Sequence, residues 1–150
     1  MKQAEALRVA FQVMTETAIV GHLADTALAQ TLPKEISVAG FGVLNHFVRL
    51  KLEGESPARL ARAFQVTKGA MTYTLQRLEA LGYVKINPDP SDARAKIVRI
   101  TAKGRKARDS GADSVRPGML KLLEIMGENE FARVLPFLIK LRQILDAARD

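Results

Sequence analysis

The side chains best able to do chemistry in this 150-residue chain lie between residues 56 and 101. At helical spacing, Lys68, Gly69, Ala70, Thr72, Tyr73, Gln76 and Arg77 fall on one face. Their types suit recognition rather than bond-making. Thr, Tyr and Gln exchange hydrogen bonds with base edges or phosphates, Lys and Arg carry charge, and Gly and Ala let a backbone approach closely. Asp92, Arg94 and Lys96 follow on a turn-rich segment. Taken alone, a solvated helix face would look the same. The other reactive types are His22 and His46, 24 residues apart on different predicted helices. They match no metal-ligand spacing, and Glu16 and Asp25 near His22 do not complete one. No paired-carboxylate, Ser-His-Asp or phosphate-loop pattern stands out, so no cofactor is expected and an enzyme is disfavoured.

These residues need two short helices and a hairpin to position them. Ser56 and Pro57 form an N-cap and first helical residue, followed by an apolar face of Leu60, Ala61 and Phe64. Gln65-Val66-Thr67 breaks the period. Thr67 then caps a second helix whose apolar face is Met71, Leu75, Leu78 and Leu81, ended by Gly82. Tyr83–Ile86 and Ile97–Ile100 read as strands, and residues 87–96 as a charged, Pro-rich hairpin tip. A helix-turn-helix followed by a basic hairpin is a winged helix, whose second helix is shaped for a DNA major groove.

The segment Asp92-x-Arg94, five residues, Ile100-Thr101, then Lys103-Gly104, resembles the wing signature of the MarR family of bacterial transcription regulators. Ile100 stands where that family usually has Leu. Leu60-Ala61, Val66, Lys68, Met71-Thr72, Leu78-Glu79 and Gly82 are also similar to the family pattern. Tyr73, Ile86 and Ala93 stand where arginines are frequent in that family, so base preference and wing affinity are expected to differ from its common pattern. The resemblance implies a homodimeric regulator, commonly a repressor, that binds a pseudo-palindromic operator in double-stranded DNA. It implies DNA contacts from the face named above, with Ser56, Thr67, Asp92, Arg94 and Lys96. It also implies an effector pocket for a small phenolic or aromatic molecule, for which Phe11, Met14, His22, Phe41 and His46 are the candidates; apolar residues at such spacing are more often core.

Charge and composition agree with this reading. The formal net charge is +7. Lys51 to Arg108 holds 13 Lys and Arg against 5 Asp and Glu, a net of +8, while the remainder holds 10 against 11, a net of −1. Such segregation is the footprint of a nucleic-acid binder. With no cysteine, disulfides, thiolate nucleophiles and thiol redox sensing are excluded. No apolar run is long enough to span a membrane and no signal peptide is visible, so a cytoplasmic location is expected.

The ends read as helices. Residues 4–31 form one long helix stopped at Leu32-Pro33, and Ser37 caps a helix to about Leu52 with Phe41, Leu44, Phe47 and Val48 inward. Residues 102–126 form another, kinked near Pro117-Gly118, and a last helix runs from Glu128 to about Ala148, bent at Pro136. Leu7, Phe11 and Met14 on the first, with Leu138, Leu141 and Leu145 on the last, are expected to meet a second copy. The expected fold is mainly α with a small β-hairpin wing: a winged helix-turn-helix lobe over 36–101, flanked by dimerisation helices in 1–35 and 102–150. A winged-helix protein-interaction module without specific DNA binding is the alternative.

Overall fold

The computed structural model describes residues 2–149. The helices are α1 (Gln3–Thr31), α2 (Val38–Arg49), α3 (Pro57–Phe64), α4 (Lys68–Ala80), α5 (Ala102–Ser114), α6 (Arg116–Met126) and α7 (Glu128–Ala147). Strands β1 (Val84–Asp89) and β2 (Asp92–Ile100) form one antiparallel hairpin between α4 and α5. The helix starts are fixed as the sequence predicts. Ser37 Oγ accepts from the Gly40 N–H (3.0 Å), Ser56 Oγ from Arg59 (3.1 Å) and Thr67 Oγ1 from Ala70 (3.1 Å). Each bond satisfies a donor that the helix start leaves open. Leu81 and Gly82 close α4. Gly82 takes φ +75°, its N–H bonds the Glu79 carbonyl, and the Tyr83 N–H bonds Leu78. This is a Schellman end, and its left-handed residue favours glycine.

The core is built from the inner faces of the helix-turn-helix. Leu60 and Ala61 of α3 meet Met71, Leu75 and Leu78 of α4 and Val43, Leu44 and Phe47 of α2. Val84 and Val98 close it from the hairpin, and Leu32 and Ile36 from the α1–α2 connection. Fully burying one such side chain contributes roughly 1.5–3 kcal/mol. Val43 belongs to this core, whereas Phe41 and Val48, which the sequence places inward, are half-buried. Phe41 leans on α5 at Gly111, where a Cβ would stand 2.6 Å from its ring.

Two elements differ from the sequence reading. The wing is mostly strand. Pairing runs from Val84↔Ile100 to Pro88↔Lys96, so Asn87, Pro88 and Asp89 belong to β1. The turn is only Pro90-Ser91. The proline fits because of where its nitrogen faces. Val98 directs its N–H and C=O away from β1, to Glu55 (2.8 and 3.0 Å). Its partner Ile86 therefore faces outward too, and so does Pro88 two residues on, where no ladder bond is lost. The long helix over 102–126 is two helices broken at Val115. Pro117 lacks an N–H and its ring crowds the carbonyl four residues back, so the break falls just before it. Pro136 lies within α7 without ending it.

The chain forms two compact units, dividing between Ser114 and Val115. The first contains the winged helix with α1 and α5. The second is the α6–α7 helical hairpin, turned at Gly127 (φ +87°). None of the described residues of α1, α6 or α7 is buried.

Candidate nucleic-acid interface

The amphipathic division of α4 sets the site. Met71, Leu75 and Leu78 are buried, so Lys68, Gly69, Ala70, Thr72, Tyr73, Gln76 and Arg77 all face solvent. The wing stands beside this face. Ser56, Lys68, Thr72, Gln76, Arg94 and Lys96 line a single cleft of about 550 Å³ between the start of α3, α4 and the hairpin. Residues far apart in sequence, chosen for their hydrogen-bonding and charge, are thus brought together. Thr67 sits at the start of α4 with its hydroxyl oxygen engaged in capping.

Glu79 and Ile86, also in this cleft, hold the wing. Glu79 Oε2 accepts the Ile86 N–H at 2.8 Å, tying α4 to the outer edge of β1. Sequence reasoning missed this pin: the strand edge that needs a partner is visible only once the register is known.

The tip is shaped by two carboxylates. Asp89 Oδ1 accepts from the Ser91 N–H (2.9 Å) and hydroxyl (2.8 Å), and these bonds hold its pKa below the ordinary carboxylate value. Asp92 Oδ1 accepts from the Arg94 N–H at 2.9 Å. Asp92 thus orients the backbone at Arg94. Because Asp89 pairs with Asp92 and Pro88 with Lys96, residues 93–95 bulge from the ribbon with Arg94 at their centre. Arg94 is exposed, so Arg94→Ala should leave thermal stability unchanged and weaken binding to a selected DNA site by roughly 1–3 kcal/mol. Equal affinity of the two proteins in a titration would remove the wing from the mechanism.

Gly69 offers a complementary separation of fold from function. Nothing lies within 4 Å of a Cβ built there. Gly69→Ala should therefore hold or raise stability, by up to about 1 kcal/mol, because alanine favours helix. It should nevertheless weaken DNA binding if a duplex backbone lies against this turn. Unaltered affinity would show that nothing approaches it closely.

The five effector candidates are not gathered into this cleft. Phe41 and His46 lie half-buried on α2; Phe11, Met14 and His22 are exposed on α1. His46 stands edge-on to Phe64, with ring centroids 5.3 Å apart. Burial, then the Arg49 charge, lowers its pKa from the ordinary histidine value, against an opposing pull from Glu55. Among the described residues no group of acids and histidines could hold a metal ion.

Comparison with known proteins agrees with this geometry. The MarR family model matches residues 41–95, the span from α2 through the helix-turn-helix to the wing tip. The transcriptional regulator BldR from Sulfolobus solfataricus is similar over 98% of this chain and 99% of its own, with 26% identity and a TM-score of 0.76. Over its winged-helix segment the chain thus matches the MarR family, and it shares the fold of MarR over most of its length. Wild-type apo MarR from E. coli is also 26% identical, covering 85% of this chain and 93% of its own with a TM-score of 0.72. A cysteine-to-serine variant of that MarR, complexed with operator DNA, shares the fold at 24% identity and a TM-score of 0.68, over 94% of this chain and 99% of its own. A search of curated protein sequences returned no match. MarR-family proteins are transcription regulators and not enzymes. Within the family signature, the structure gives Thr101 and Gly104 definite roles. Thr101 Oγ1 donates to the Gly82 carbonyl (2.7 Å) and accepts from the Gly104 N–H (3.0 Å), capping α5 against the end of α4.

Proposed function

We propose that this chain is a homodimeric, sequence-specific repressor that binds a pseudo-palindromic operator. The observation that carries the reading is the shared cleft, where the exposed face of α4 and the Arg94 wing converge on the segment holding the chain's excess positive charge. In each subunit α4 enters a major groove, with Gln76, Thr72 and Arg77 at base edges, while Lys68, Lys96 and Arg94 meet phosphates or the minor groove. The E. coli MarR complex with operator DNA supports DNA as partner. Support for the dimer comes from the apolar residues of α1, α6 and α7, including Leu7, Phe11, Met14, Leu138 and Leu145, which are exposed in a single chain. A small phenolic or aromatic effector would release the operator; Phe41 and His46 are the half-buried candidates for it. Action on chromosomal operators places the protein in the cytoplasm, and no described helix is long and apolar enough to cross a membrane.

The test is a titration of DNA selected from random sequence, repeated over a range of salt. The log of the binding constant should fall linearly with log salt, by about 0.9 per phosphate neutralised. Lys103, Arg105 and Lys106 are exposed at the start of α5, directly after the wing. Replacing all three with Gln should flatten the slope by about 2.7 if each meets a phosphate. An unchanged slope would remove α5 from the interface. Failure to enrich any sequence would favour a protein-interaction module.

A further inference from the structure

Tyr73 and Arg77 stand one turn apart on the exposed face of α4, and they touch each other. Arg77 Nη1 donates to the Tyr73 hydroxyl at 3.1 Å, and the guanidinium carbon lies 5.7 Å from the tyrosine ring centroid. Tyr73 is 61% exposed, an uncommon placement for an aromatic side chain unless it has something to meet. We infer that the two act as one base-reading unit, in which Tyr73 positions the Arg77 guanidinium for bidentate contact with a guanine in the major groove. This inference rests on the DNA-binding function proposed above.

Three features support it. First, the clamp uses only Nη1, so the Nε–Nη2 edge keeps both hydrogens for the O6 and N7 acceptors of guanine. Second, the clamp is neutral. No carboxylate among the described residues pairs with Arg77, so its full charge remains available to DNA. An acidic clamp would have cancelled that charge and repelled the phosphates. Third, an arginine loses rotamer freedom on binding, and a tyrosine with two side-chain torsions is a stiff support that removes part of that freedom beforehand.

The experiment is selection from random DNA followed by competition titrations with wild type, Tyr73→Phe, Tyr73→Ala and Arg77→Gln. All three substitutions are on the exposed face, so thermal melts should match wild type and confirm folding. Wild type should prefer guanine at one position of each half-site, by roughly 5- to 150-fold. Arg77→Gln should abolish that preference. Tyr73→Phe keeps the ring but removes the hydroxyl, and should lower the preference several-fold at that position alone, leaving other positions and the salt slope unchanged. Tyr73→Ala should relax it further. An unchanged preference in Tyr73→Phe, or an equal affinity loss at every position, would overturn the inference while leaving DNA binding intact. Failure of wild type to select any sequence would overturn both.

Discussion

Gly104→Ala should destabilise the protein by about 3 kcal/mol, at the upper end of what overpacking costs. Gly104 is buried at the start of α5, where the Tyr83 backbone crosses it. A Cβ there would penetrate the Tyr83 carbonyl oxygen, stand 2.9 Å from its carbon and 3.0 Å from Ile100 Cγ1. The obstacle is backbone that is fixed in turn. The same Tyr83 carbonyl accepts the Thr101 N–H (3.0 Å), and Gly82 accepts the Thr101 hydroxyl. No rotamer change relieves this clash; α5 must move off the hairpin or the joint must open. The joint links the end of α4, the start of β1 and the cap of α5, so DNA binding should fail with it. Gly118→Ala is the control: nothing lies within 4 Å of a Cβ there, and helix propensity should raise stability by up to about 1 kcal/mol. Urea unfolding at one protein concentration measures both. A Gly104→Ala loss below about 1 kcal/mol would mean the joint is not rigid.

Placing Asp at both Leu138 and Leu145 should dissociate the protein. Among the described residues, the exposed large apolar side chains number seven on α1, five on α6 and eight on α7, with only Leu50, Val66 and Tyr73 elsewhere. Soluble monomers rarely leave so much apolar surface on so few elements. Cover by a second copy is the economical solution, and each side chain fully buried across it contributes roughly 1.5–3 kcal/mol. Two charges per subunit, four per dimer, would have to be desolvated at a symmetric interface, and a carboxylate with no partner there costs several kcal/mol. Sedimentation at micromolar concentration should show a dimer for wild type and a monomer or aggregate for the variant. The variant should also lose operator binding. A wild-type chain that sediments as a well-behaved monomer would remove the dimer.

What the sequence revealed followed locality. Ser37, Ser56, Thr67 and Gly82 announce helix ends because capping chemistry involves only a few neighbouring residues, and all four act as read. The buried face of α4 was equally legible from its period. The wing was harder. Asn87, Pro88, Asp89 and Pro90 are turn-forming types, and only the pairing of Ile86 with Val98 makes Pro88 acceptable within a strand. Non-local contacts left no trace at all. Nothing in the basic run around Gly104 reveals the Tyr83 carbonyl lying over it, and nothing about Glu79 reveals that it holds a strand edge. Phe11, Met14, His22, Phe41 and His46 stand out by type and helical position, and type does not say whether α1 and α2 present them to a common space.

The central claim is that two copies of this winged helix read two half-sites of one operator. A hydroxyl-radical footprint on a selected site, with the stoichiometry of the complex determined in parallel, tests it most directly. Two chains per duplex are expected, with two protected segments on one face centred about one helical turn, roughly 34–36 Å, apart. One chain protecting a single half-site with undiminished affinity would contradict it.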